Sequence, residues 1–338
     1  MQTGGGERPP AMTDVARAAA VSHQTVSRVL NGHPNVRPAT RARVLAAIEA
    51  LGYRPNLAAR ALASGRSNQL GLVTMNTMLL GPIATLYAVE QAARSAGYSV
   101  SVTSVRSLDR HSLSESVSRL VQQSVAGVII IAPVASRDSA LDALPAELPA
   151  VVVEADPESA VSAVTVDSQL GAALATRHLL ELGHETVFHI SGPRDWIEAQ
   201  HRIVGWRRTL QEAGARVPEV IFGDWSAQAG YDAGYVLATL PDATAVFAAN
   251  DNMALGLLRA LSEQGRSVPG DISVVGFDDI AEAGFFMPPL TSIRQDFAEM
   301  GRRSVELLLR QVETATRGVE HITLVPELVL RESTAPPR

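Results

Sequence analysis

From Leu70 onward the chain repeats one pattern, a short apolar run followed by a stretch of helical periodicity. The runs are LGLVT (70–74), YSVSVTSV (98–105), GVIIIA (127–132), AVVVE (150–154) and AVTV (163–166), then VFHIS (187–191), AVFAAN (245–250) and ISVVGF (272–277). Helical segments between them include 83–96, 112–123, 168–182, 199–213, 228–239 and 252–264. Runs this short, most of them apolar on both faces, predict buried parallel strands joined by right-handed helical crossovers. The length of this alternation, from 70 almost to the C-terminus, exceeds what one core comfortably holds. It predicts two doubly wound lobes, with ligands outside the carboxyl ends of the strands and in the cleft between lobes.

The segment 1–66 follows different rules. It holds nine arginines against three acids, a charge of +6, whereas the segment 67–338 holds 20 arginines against 32 acids, a charge of −12. The net −6 of the whole chain therefore hides a basic head on an acidic body. Charge alone leaves both an incidental surface and a polyanion partner open. Arginine supplies every one of the 29 basic residues in both parts, so that bias carries no argument about the head. Zero cysteine excludes disulfides and thiolate metal ligands. No apolar run approaches the length of a membrane span, roughly 18 residues. The leader MQTGGGERPPAM has no apolar core, so a cytoplasmic protein is expected.

Local signals in the head predict three helices. Thr13 is a cap for a first helix 14–19, and Ser22 caps a second at His23–Leu30, stopped by Asn31-Gly32. Pro38 opens a third, with Val44, Ile48 and Leu51 on its apolar side and Gly52 as its end. Two helices joined by so short a turn make a helix-turn-helix, and the third closes its core with Val15, Ala16, Val21, Val26, Val29 and Leu30. His23, Gln24, Ser27 and Arg28 face outward on the second helix. Gln can pair with adenine and Arg with guanine in the major groove. Ser22, Thr25, Ser27, Asn31, Thr40, Tyr53 and Asn56 are donors suited to phosphates.

The run DVARAAAVSHQTVSRVLNG, followed by TRARV and LGYRPNLAARAL, resembles the LacI-type (lactose-repressor) family of bacterial transcription factors. The likeness covers the whole head. GDWSA, ANDNMALG, DISVVGFDD and PPLTSIRQDF extend it through the body, close to the family's lactose-repressor branch. The family implies base reading by His23, Gln24 and Arg28. One departure is Ala20, where the family's turn usually has Gly; a left-handed backbone there would cost Ala about 1 kcal/mol.

Domain boundaries are expected at a disordered leader 1–11, with translation starting at Met1 or Met12, a helix-turn-helix domain 12–54 and a linker 55–67. The linker is short and Ala-rich, so on its own it reads either as a flexible tether or as a helix that forms only against a partner. The resemblance implies the latter, with Ala59 and Leu62 in the minor groove of the operator and Leu62 wedged into a base step. A two-lobed, periplasmic-binding-protein-like body is expected over 68–336. Its N-lobe would span 68–166 and 293–325 and its C-lobe 167–292 and 326–336, the chain crossing near Val166, Ser292 and Pro326.

Several polar groups stand at the predicted strand ends: Glu154, Asn250-Asp251 and Asp278-Asp279, with Arg202 at the start of a helix and Trp225 in a loop. Carboxylates, an amide, an arginine and an indole can recognise a sugar, whose hydroxyls need fixed partners and whose ring face stacks on an aromatic. Asp251 reads as the cap of the following helix and Asp279 as serving its own loop. Taken alone, Glu154 fits an exposed strand-end acid as well as a ligand contact. The resemblance implies that Arg202, Asn250, Asp278 and Glu154 meet sugar hydroxyls and that Trp225 stacks. Leu79, Pro82 and Phe297 would form an apolar wall with Gln295 beside it.

No phosphate-binding glycine loop, nucleophile elbow or metal-type histidine spacing occurs, so neither catalysis, nor a cofactor, nor a metal is expected. The expected partners are near-palindromic operator DNA, a small carbohydrate effector and a second copy of the chain, making a homodimer. The C-terminus LRESTAPPR shows no heptads, which favours a dimer over a tetramer. A galactoside-type inducer that releases the operator is the expected effector. The alternatives are a sugar-binding receptor without DNA function, a sugar-processing enzyme, and a regulator answering another glycoside or acting by co-repression.

Overall fold

In a computed structural model, the described residues are 10–30, 33–53, 67–75, 79–106, 109–131, 141, 144–155 and 159–338. The chain divides into two compact units, Met1–Ser67 and Asn68–Arg338. In the first, α1 (Met12–Ala18), α2 (His23–Leu30) and α3 (Pro38–Leu51) pack around Val15, Ala16, Ala19, Val26, Val29, Val44 and Ala47. Helix α1 starts two residues earlier than Thr13 as a cap would place it. Asp14, in its first turn, instead accepts from the backbone N–H of Ala11 at 2.9 Å, which satisfies a free helix-end donor. Ser22 does cap α2, accepting from Thr25 N at 3.2 Å. Leu51 lies exposed and Ala47 takes its place in the core, one helical turn from Val44. Between α1 and α2 the chain turns through Ala20 at φ 49°, the left-handed region.

The second unit contains two six-stranded sheets. The first lobe comprises β1 (Gln69–Met75), α4 (Leu80–Ser95), β2 (Ser99–Val105), α5 (Arg110–Gln122), β3 (Val128–Ile131), β4 (Ala150–Val153) and β5 (Ser162–Val166). The second comprises α6 (Ser168–Glu181), β6 (Phe188–Ser191), α7 (Ile197–Glu212), β7 (Ile221–Phe222), α8 (Ala227–Ala238), β8 (Ala245–Ala248), α9 (Asp251–Glu263), β9 (Ser273–Asp278) and β10 (Thr291–Arg294). The chain then returns to the first lobe with α10 (Phe297–Thr314) and β11 (His321–Leu324), and ends in the second with β12 (Glu327–Val329).

Strand order is β2-β1-β3-β4-β5-β11 in one sheet and β7-β6-β8-β9-β10-β12 in the other. Every pair is parallel except β10 with β12. Both sheets thus reverse their winding beside their first strand, between β1 and β3 and between β6 and β8, where crevices open in doubly wound folds. Alternation along the strands divides each lobe's core between two faces. Leu70 and Leu72 pack with Val89 of α4 and Leu308 of α10, whereas Val73 packs with Leu113 and Leu120 of α5. In the second lobe Phe247 and Phe277 pack against Leu179 and Trp206, and Val246 and Val274 against Leu237 and Leu257.

Three crossings join the lobes, after Val166, between Arg294 and Phe297, and between Leu324 and Glu327. Among the described residues no helix is long and apolar enough to cross a membrane.

Candidate functional site

On α2, the helical period turns Val26 and Val29 inward and leaves Ser22, His23, Gln24 and Arg28 accessible, with Thr25 and Ser27 partly so. The hydroxyls of Ser22 and Thr25 lie 2.9 Å apart at the start of this face. Thr40 is half-buried in the first turn of α3. Tyr53 packs in the head's core and is only 8% exposed. Asn31, Asn56, Ala59 and Leu62, with most of the linker 55–67 and positions 1–9 of the leader, lie outside the described residues.

In the second unit one cavity opens at the carboxyl ends of strands from both lobes, and all nine expected effector residues line it. Leu79 and Pro82 come from the start of α4, Glu154 from the end of β4 and Phe297 from the start of α10. From the other side come Arg202 on α7, Trp225 before α8, Asn250 after β8, Asp278 at the end of β9 and Gln295 after β10. The space between them is about 600 Å³, partly continuous with solvent.

These side chains are held by bonds of their own. Gln295 Nε2 donates to Asp278 Oδ1 at 2.6 Å, and Arg202 Nη2 lies 4.0 Å from the same oxygen. Arg202 Nη1 donates to the Ala249 carbonyl, and its Cζ stands 3.6 Å from the Phe277 ring centroid. Glu154 accepts from the Val166 N–H at 3.3 Å, which ties the end of β4 to the end of β5. Asn250 departs from a simple hydroxyl partner. Its Oδ1 caps α9 by accepting from Met253 N at 2.8 Å, while its Nδ2 donates to the Trp225 carbonyl at 3.0 Å. The cap is therefore Asn250, not Asp251. Asp251 is wholly buried one residue later, accepting from Ser292 Oγ at 2.6 Å and Ile280 N at 2.8 Å. Asp279 does more than serve its loop, pairing at 2.7 Å with both Arg294 and Arg331.

Backbone strain collects here. Glu154 (φ 60°), Trp225 (φ 72°) and Asp278 (φ 104°) line the cavity in left-handed conformations, and Asp279 (φ 52°) follows. Such residues persist where surrounding contacts over-determine them, and they cluster at binding sites. Electrostatics set the cavity apart as well. Burial pushes the Asp278 carboxyl up to about 6 against the pull of Arg202, and pushes Asp251 up to about 8 with the charge of Asp278 adding to it. Arg202 Nε and Trp225 Nε1 are buried without a hydrogen-bond partner among the described residues.

The profile of bacterial regulatory proteins of the lacI family matches residues 11–56, and that of the periplasmic binding protein-like domain matches 176–334. The lactose operon repressor of Escherichia coli (strain K12) is 35% identical over 335 residues, covering 98% of this chain and 92% of the repressor. The chain belongs to the LacI family. The solved lac repressor dimer bound to operator and the anti-inducer ONPF matches this LacI-family chain with a TM-score of 0.88 at 33% identity, covering 97% of it and 100% of the repressor chain. The HTH-type transcriptional regulator CelR of Thermobifida fusca is 35% identical, covering 96% of this chain and 98% of CelR. A CelR–cellobiose complex matches with a TM-score of 0.71 at 34% identity, covering 96% and 99%.

The LacI-family cleft also contains two residues that no sequence motif singled out. Trp196 sets its ring edge-on to Trp225, centroids 5.6 Å apart at 65°, and Glu198 enters one helical turn before Arg202. The i, i+4 spacing of Glu198 and Arg202 was the available signal, because on α7 it places both on one face.

Proposed function

We propose that this chain is a transcriptional repressor acting as a homodimer on a near-palindromic operator, released by a neutral glycoside of galactoside type. The observation that carries the sugar part is the convergence of Arg202, Trp225, Asn250, Asp278 and Gln295 with Glu154 and Phe297 at the strand ends of both lobes. A ligand spanning the two lobes binds one lobe arrangement better than the other and shifts the equilibrium by that difference. Coupling of about 1–3 kcal/mol is typical, carried here through the linker to the heads. The outward set His23, Gln24 and Arg28 on α2 supports base reading, with phosphate contacts from Ser22, Thr25, Ser27 and Thr40. Phe285 and Met287, 87% and 92% exposed beside the second lobe's core, are suited to burial against a second copy. The same chemistry supports no turnover, and the regulator relatives favour a non-enzymatic role.

The test is a mobility shift on DNA upstream of the chain's own gene, titrated with galactosides and glucosides. A retarded band that a galactoside dissolves is expected. A shift indifferent to every sugar would remove the effector, and release by glucosides alone would replace the galactoside. Tightening on sugar addition would turn release into co-repression.

A further inference from the structure

We propose that His189, on β6 behind the cleft, is a positioning residue for Arg202: its Nε2 lone pair orients the guanidinium from inside the lobe, and so keeps the cation directed at Asp278 and the effector. The role given to Arg202 rests on the sugar reading above. His189 itself is not among the residues that line the cavity.

The ring is wholly buried between two others. It stacks on Phe247, its register partner on β8, with centroids 4.7 Å apart at 10°, and lies 5.3 Å from the ring of Trp206 on α7. Arg202 precedes Trp206 by one helical turn, so the two side chains leave the same face of α7. Carbonyls alternate in direction along a strand, so those of Phe247 and Ala249 open to the same side of β8. His189 Nδ1 lies 2.9 Å from the first, and Arg202 Nη1 donates to the second. Imidazole and guanidinium therefore occupy successive places along one strand. The Phe277 ring beneath the guanidinium continues the row, 6.3 Å from that of Phe247.

A carbonyl only accepts, so Nδ1 carries the proton of the Phe247 bond and Nε2 is left as a lone pair. Burial pushes the ring down to about 3 against the pull of that bond, and the charge of Arg202 pushes the same way, so the imidazole is neutral at pH 7. Nε2 has no hydrogen-bond partner among the described residues, and neither has Arg202 Nε. The indole N–H of Trp206 does not serve Nε2, because it donates to the Val187 carbonyl at 2.8 Å. Ser191 Oγ, two residues along the same face of β6, is likewise buried without a partner among the described residues. These groups make one polar corner in an otherwise apolar core.

An acceptor lone pair beside a buried cation attracts it in a medium that screens poorly. A carboxylate in that place would neutralise the guanidinium and compete with Asp278. A neutral imidazole orients the cation and leaves its whole charge to the cleft. Leucine or phenylalanine there would fill the volume and offer no acceptor.

The test uses the full chain. In a nitrogen-15 histidine spectrum at pH 7, His189, assigned by the signal that H189F removes, should show a protonated Nδ1 and a bare Nε2. That Nε2 resonance should move in Arg202→Ala. Lactose, cellobiose, galactose and glucose are then titrated calorimetrically, and the tightest is carried to the variants. H189F keeps an aromatic ring and should weaken that sugar about tenfold, with operator binding in the absence of sugar unchanged. H189Q restores one donor and one acceptor and should recover most of the loss. A merely structural role would lower the melting temperature of both variants, leave sugar affinity unchanged and leave the Nε2 resonance unmoved in Arg202→Ala. Where H189F does not fold, H189Q supplies the assignment and the Arg202→Ala shift decides. Sugar affinity unaltered in a folded H189F, or an Nε2 resonance indifferent to Arg202→Ala, overturns this inference and leaves the sugar reading intact. Heat from no sugar with the wild-type chain overturns the sugar reading, and the Arg202→Ala resonance then decides alone whether His189 holds the guanidinium.

Discussion

The guanidinium carbon of Arg202 sits 3.6 Å from the ring centroid of Phe277, one strand position before Asp278, whose carboxylate it faces. Strand β9 thus presents a cation–π platform and a counter-ion in consecutive residues. Arg202→Ala removes the charge that compensates buried Asp278 and leaves the Ala249 carbonyl without that donor. The expected loss is about 1–3 kcal/mol of stability in the second unit. Operator binding should persist while sugar response disappears, both read from a mobility shift with and without effector. A fully inducible mutant would displace Arg202 from the site.

Gly192 makes room for Trp225. A Cβ at Gly192 would lie 2.2 Å from Cζ2 of the indole, a distance no relaxation of a hemmed-in ring absorbs. Gly192→Ala should force Trp225 out of its place and lower sugar affinity at least tenfold by calorimetry, with DNA binding unchanged. Wild-type affinity would show that the indole position is not needed.

Asp251 predicts a pH dependence of stability. Its folded carboxyl is raised to about 8, far above its ordinary value, so between those limits the folded state binds more protons than the unfolded. Stability must therefore fall as pH rises through the upper part of that window. His178 and His184 are lowered by burial and act oppositely. Their contribution grows with pH up to about 6.5, the ordinary histidine value. The interval pH 7–8.5 thus isolates Asp251. Asp251→Asn mimics the protonated acid, its amide donating to Ser292 Oγ and its oxygen accepting from Ile280 N. The melting temperature should decline from pH 7 to 8.5 in the wild type and decline less in the variant. Equal slopes would refute the assignment.

Ala20 adopts a left-handed backbone, φ 49°, between α1 and α2. Only glycine is free of a Cβ penalty there. Ala20→Gly should stabilise the head by about 1 kcal/mol, the left-handed cost relieved, offset in part by glycine's entropy when unfolded. Calorimetry of the full chain should show the head's transition shifted upward. An unchanged or lowered transition would mean that the turn tolerates Ala without strain.

Arg28 lies on the outward face of α2, away from the buried Val26 and Val29. Arg28→Ala should leave folding intact and lower operator preference over competitor DNA by about 1–3 kcal/mol. Unchanged preference in a competition shift would remove Arg28 from the reading set.

Most interior strands were legible because burial on both faces leaves them apolar. Strands β7, β10, β11 and β12 were not read as strands: β7 and β12 are only two and three residues long, β11 alternates half-exposed at a sheet edge, and β10, though interior, reads Thr-Ser-Ile-Arg and so forms no apolar run. Helix α10 escaped notice although Met300, Leu307 and Leu308 pack one face, because FAEMGRRSVELLLRQVET is dense in charge on the other. Asn250 and Asp251 are adjacent and equally able to cap, so composition could not choose between them; the bond to Met253 does. Arg202 was expected at a helix start and lies in the second turn of α7, since Ile197 and Glu198 precede it on the same helix. Resemblance brought nine residues to one cavity, but Glu198 and Trp196 became visible only when α7 was folded.

The three crossings between the lobes have a mechanical consequence. Bodies joined by one strand can swivel freely, and bodies joined by two can still flap about the line between them. Three ties leave the lobes fewer relative motions than one or two would, so a ligand that touches Arg202 on one lobe and Glu154 on the other acts on all three crossings together.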